Sequence, residues 1–69
     1  MNYMNQGFAK KFYTAYTNNG QEIIILASNI GAAHRAARER FGEGVSFSTR
    51  ESTDDETLHV HPFDVVRAE

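Results

Sequence analysis

Apolar and polar positions along the chain change period several times, and each change predicts an element. Between positions 8 and 17 aromatic and β-branched residues dominate (Phe12, Tyr13, Thr14, Tyr16, Thr17), a composition that suits a strand. Asn18-Asn19-Gly20 interrupts the run, and Gln21 to Ala27 resumes it with Ile23, Ile24, Ile25 and Leu26. Asn-Gly between two such runs predicts a hairpin, because both residues tolerate the positive φ of a type I′ turn. A two-residue Asn19-Gly20 loop pairs Tyr16 with Ile23, Thr14 with Ile25 and Phe12 with Ala27. Phe12, Tyr16, Ile23 and Ile25 then share one face, and Tyr13, Ala15, Ile24 and Leu26 the other. A three-residue loop shifts the pairing by one and regroups these sets. Both faces are apolar in either register. One helix covers only one of them, so the second face calls for the N-terminal segment or another copy of the chain.

After Ala27 the period becomes helical. Ser28 or Asn29 is a suitable N-cap, and Ile30, Ala33, Ala37 and Phe41 fall on one face. Alanine at 32, 33, 36 and 37 favours helix and permits a close approach to a sheet. Gly42 is placed to end the helix in the left-handed region, and Arg38 and Arg40 complement its C-terminal dipole. Val45, Phe47 and Thr49 then alternate with Ser46, Ser48 and Arg50 as in a half-buried strand. Residues 52–56, Ser-Thr-Asp-Asp-Glu, read as a polar turn. Thr57 to His61 reads as a strand with Leu58 and Val60 inward, ended by Pro62. Val65 and Val66 suit a short tail strand or a docking turn. The expected fold is α+β: β-β-α-β-β, a four-stranded, mostly antiparallel sheet with one helix packed on one face, over residues 1–69 as a single domain. Residues 1–7, rich in Asn, Gln and Gly, read as a loose lead-in.

Composition narrows the function. A chain of 69 residues with 41% hydrophobic and 23% charged residues is globular in type. A domain of this size buries only about 60% of its unfolded surface and is marginally stable. The absence of cysteine excludes disulfides, thiolate metal sites and a Cys nucleophile, and fits a reducing, cytoplasmic setting. No long apolar run suggests a membrane span, and the polar start lacks a signal-peptide core. The net charge of −2 is unevenly spread. Residues 1–30 and 31–44 each carry +1, whereas residues 45–69 carry −4. A general nucleic-acid binder is usually basic overall, so this balance weighs against that class.

Candidate chemistry is sparse. His59 and His61 share a face if that segment is a strand, and with His34 or Asp64 they could chelate a metal. Outward alternation of polar residues on a half-exposed strand is the plainer account, and no cofactor or metal is expected. Gly42-Glu43-Gly44 follows a helix instead of opening one, so it lacks the amides of a phosphate loop. No serine sits in a nucleophile elbow, and the domain offers little depth for a cleft. The chain therefore reads as a binding protein and not an enzyme. Arg35 and Arg38 point outward if Ile30, Ala33, Ala37 and Phe41 face the sheet, and Lys10 and Lys11 could extend that surface to a partner. A solvated face with an Arg35–Glu39 pair is the plainer account. Phe12, Tyr13 and Tyr16 could stack bases, which keeps a small nucleic-acid-binding or regulatory module as the alternative.

One layout is familiar. A hairpin runs through Leu26-Ala27-Ser28-Asn29 into a capped Ala/Arg helix from Ala32 to Arg40. A glycine turn and an alternating strand follow (Gly44-Val45-Ser46-Phe47-Ser48), then an acidic turn and a last strand. From Gly20 through Val60 this resembles small phage-encoded anti-CRISPR proteins, especially inhibitors of type I-F systems. The resemblance implies a non-enzymatic inhibitor that binds Cas subunits or another bacterial defence complex in the host cytoplasm and blocks access of target nucleic acid.

Overall fold

A computed structural model describes residues 10–58 and 64–68. The elements are β1 (Lys11–Thr17), β2 (Glu22–Ala27), α1 (Ile30–Phe41), β3 (Phe47–Glu51), α2 (Asp54–Leu58) and β4 (Val65–Arg67). The four strands form one sheet in the order β3-β1-β2-β4. β1 is antiparallel to both β2 and β3, and β4 runs parallel to β2. The architecture is the expected α+β sheet with one principal helix, with a mixed strand direction at one edge.

The hairpin closes on three residues, Asn18 to Gly20, and not on a two-residue type I′ turn. The Thr17 N–H donates to the Gln21 carbonyl at 3.0 Å, and the Gly20 N–H to the Thr17 carbonyl at 3.3 Å. Gly20 has φ 95°, and no non-glycine residue described has positive φ, so Asn19 does not take the conformation that type I′ demands. The Thr17 hydroxyl fixes the loop by donating to Asn19 Oδ1 and accepting the Gln21 N–H. Tyr13 therefore pairs with Ile25 and Ala15 with Ile23. This is the one-residue shift, and it exchanges the faces. Tyr13, Ala15, Ile25 and Ala27 are buried beneath α1, while Phe12, Tyr16, Ile24 and Leu26 share the opposite face.

α1 is capped by Asn29, whose backbone is extended and whose Oδ1 accepts the Ala32 N–H at 2.8 Å. It ends at Gly42, φ 99°, whose N–H bonds the Arg38 carbonyl at 2.8 Å. Ala32, Ala33 and Ala37 are buried, with Ala36 and Phe41 packed beside them. Ile30, expected to face the sheet, is 50% exposed. At 100° per residue it lies roughly 90° from the centre of the stripe formed by Ala32, Ala33, Ala36 and Ala37, which alone is slim enough to set the helix closely on the sheet.

The segment after β3 departs from expectation. The polar turn over 52–56 and the strand over 57–61 are replaced, in their described part, by α2, and Leu58 is 72% exposed instead of inward. The cause is a reciprocal capping box. The Thr53 N–H donates to Glu56 Oε1 at 2.8 Å, and the Glu56 N–H donates to Thr53 Oγ1 at 3.3 Å. Asp54, Asp55 and Glu56 in the first turn favour the helix dipole. His59, Val60, His61 and Pro62 lie outside the described residues. The fourth strand is the short Val65–Arg67 tail.

Two local features are separable by mutation. Gly20→Ala forces a Cβ into positive φ, and Asn29→Ala removes the α1 cap. Each is expected to cost about 1 kcal/mol, read as a lower urea midpoint at unchanged slope.

Candidate binding surfaces

The arginine-bearing helix faces two different neighbours. On the β3 side, Arg38 places its Cζ 5.5 Å from the centre of the Phe47 ring. Phe47 also stacks on His34, with ring centroids 4.5 Å apart, and meets Phe41 at 5.3 Å. His34 Nδ1 lies 2.9 Å from Thr49 Oγ1, so this histidine is a helix-to-sheet boundary residue.

On the β4 side, a groove of about 320 Å³ runs between α1 and the edge strand. Ala32, Ala36, Val66 and Ala68 supply small apolar walls, Arg35 and Arg40 contribute two cations alongside Glu39, and Arg67 borders the groove from β4. Arg40 and Arg67 were not among the expected contacts. Only the parallel pairing of β4 with β2, Ile25 opposite Val66, brings the tail beside the helix, and no local pattern announces that crossover. Among the described residues, no ion pair joins Arg35 to Glu39.

The four expected contact residues do not form one patch. Arg35 belongs to the groove, and Arg38 leans on Phe47 at the opposite flank. Lys11 pairs with Ala27 at the end of the sheet where α1 begins, and its Nζ is 3.5 Å from the Glu51 carboxylate, an exposed pair of little energetic weight. Lys10 is exposed just before it.

The second sheet face is partly covered. Thr14, fully buried, has its hydroxyl 2.7 Å from Ser52 Oγ and donates to Glu56 Oε1 at 3.1 Å. Arg50 meets Glu56 in a fork at 2.8 and 2.5 Å, and its Cζ lies 5.5 Å from the Tyr16 ring centre. The Arg50 guanidinium, the Thr53 N–H and the Thr14 hydroxyl hold the Glu56 carboxyl down at about 2, against the smaller opposing effect of burial. Beyond this network, Phe12 and Tyr16 remain 39% and 37% exposed. Tyr13, the third expected stacking ring, is core.

Among the described residues no group of three His, Asp or Glu side chains could hold a metal, and His59 and His61 lie outside them. No helix of the described residues is long and apolar enough to cross a membrane. Comparison of the chain with protein-family models, with curated proteins and with solved structures gives no match.

The Glu56 network carries a pH signature. Because its folded pKa lies below the ordinary 4.5, its stabilising effect is complete above 4.5 and is lost as pH falls toward about 2. Glu56→Gln is expected to cost about 1–2 kcal/mol at neutral pH and to flatten the stability profile between pH 5 and 2. Urea midpoints of both proteins across that range measure the difference, and parallel profiles would remove Glu56 as the cause.

Proposed function

We propose that this chain is a non-enzymatic binding protein, in particular a phage-type inhibitor that acts in the bacterial cytoplasm on a CRISPR-Cas or other defence complex and blocks target nucleic-acid access. The observation that carries the binding reading is that Arg35 and Arg38 are both exposed on α1, Arg35 at the groove on its β4 flank and Arg38 over Phe47 on its β3 flank. Guanidinium groups on a rigid helix, one of them preorientated by a ring, suit bidentate contacts with carboxylate or phosphate on a partner. The specific target rests on layout. The hairpin, the Asn29-capped helix, the glycine turn and the alternating β3 follow that layout, while α2 replaces its acidic turn and the described start of its last strand.

A nucleic-acid-binding or regulatory module is the second reading, favoured by Phe12 and Tyr16, the rings left exposed on the open sheet face, with Arg50 beside Tyr16. It requires affinity that falls steeply with salt. The same apolar face would also suit a symmetric dimer, which a concentration-dependent mass would reveal.

Tagged protein incubated with a lysate containing an active CRISPR system is expected to retain Cas subunits stoichiometrically, and Arg35→Ala with Arg38→Ala to weaken that capture about tenfold. Capture unaffected by the double variant would remove this surface. Recovery of nucleic acid alone would favour the second reading.

A further inference from the structure

The groove between α1 and β4 sits at the edge of the described sheet. β4 is the last strand in the order β3-β1-β2-β4, and among the described residues no strand pairs with its outer side. The Ala68 N–H donates inward to the Leu26 carbonyl at 3.1 Å. Backbone groups alternate in direction along a strand, so those of Val65 and Arg67 point outward from β2. Val66 and Ala68 pack on the core side, toward α1.

We propose that β4 accepts an extended acidic peptide segment of a protein partner as a fifth strand, with alternate carboxylates seated in the α1/β4 groove against Arg35 and Arg40. This deepens the binding reading above and rests on it. Three features of the site converge on this ligand. The outward backbone groups of Val65 and Arg67 offer main-chain donors and acceptors to an extended chain. Side chains of an added strand alternate between faces, so every second residue enters the groove, where the walls are small and the rim is cationic. The intervening residues fall on the opposite face beside Val65 and Arg67, with Ile24 and Leu26 beyond, where apolar side chains continue the existing surface. An acidic, alternately apolar strand satisfies both faces at once. A nucleic-acid backbone fits less well. It carries no alternating N–H and C=O groups to pair with the strand edge.

The test uses the full chain, isotopically labelled, titrated with a short capped peptide of alternating glutamate and valine. A matching peptide with glutamine for glutamate and a short oligothymidylate serve as comparisons. The expected result is a shift of the Val65–Ala68 amides with the glutamate peptide and about tenfold weaker binding of the glutamine peptide. A similar loss is expected in the protein carrying Arg35→Ala and Arg40→Ala, both exposed positions, and no displacement by oligothymidylate. Unmoved Val65–Ala68 amides at millimolar peptide, or equal affinity for the two peptides, overturns the proposal. Displacement by oligothymidylate at the same amides overturns it in favour of a phosphate ligand. If the peptide fails while capture still depends on Arg35 and Arg38, only the strand-addition assignment falls. If the peptide binds but no defence complex is captured, the target falls and the groove stands.

Discussion

The register of one hairpin decides what the rest of the molecule can be. Gly20 takes positive φ as the last residue of a three-residue loop, and this puts Tyr13, Ala15, Ile25 and Ala27 on the same side. A shift of one residue would instead send Phe12, Thr14 and Tyr16 under the helix with Ile23 and Ile25. The realised buried face combines small residues with one isoleucine and one tyrosine ring. A helix lined by Ala32, Ala33 and Ala37 fits that low relief, whereas a leucine-lined helix would stand off from it. The close helix in turn leaves its arginines outside, because the whole buried stripe is alanine and the long side chains have nowhere else to go.

The other face is organised by a polar residue. Thr14 is fully buried on the face that carries Phe12, Tyr16, Ile24 and Leu26. A hydroxyl there must find partners, and it does so with Ser52 and Glu56. Glu56 serves three ends at once: it caps α2, receives Thr14 of β1 and binds Arg50 of β3. The short α2 helix could not persist by its own propensity. It is held because its third residue is anchored to the strands, so the capping box is tertiary structure as much as local structure.

Local signals carried most of the architecture. The β-rich runs, the Asn29 cap, the alanine stripe, Gly42 and the alternation of β3 can all be read from neighbouring residues, and all appear. The register could not be chosen between two loop lengths, since Asn18-Asn19-Gly20 supports both and both faces are apolar. Thr17 settles it through hydroxyl bonds that periodicity does not weigh. α2 was legible in principle. Thr53-Asp54-Asp55-Glu56 is a capping-box sequence, but its acidic run also reads as a turn, and the alternation expected after it concealed the helix.

The groove was the least legible part because it depends on the sheet's one parallel pairing. Arg35 and Arg40 share a helix stripe with Ala32, Ala36 and Glu39, but nothing local marks that stripe as the wall of a groove, and Arg67 is remote in sequence. They line one space only because the chain, after β3, crosses to the far side of β2 and lays Val66 against Ile25. Parallel neighbours need a long connection, so no short-range signal marks them. The same crossover makes β4 an edge strand of three residues with alanine-sized walls above it. A short edge is a weak invitation to indiscriminate pairing. The arginines add a charge requirement to that edge, and the combination of a brief ladder with a cationic rim selects for a partner's chemistry more than a long open strand would.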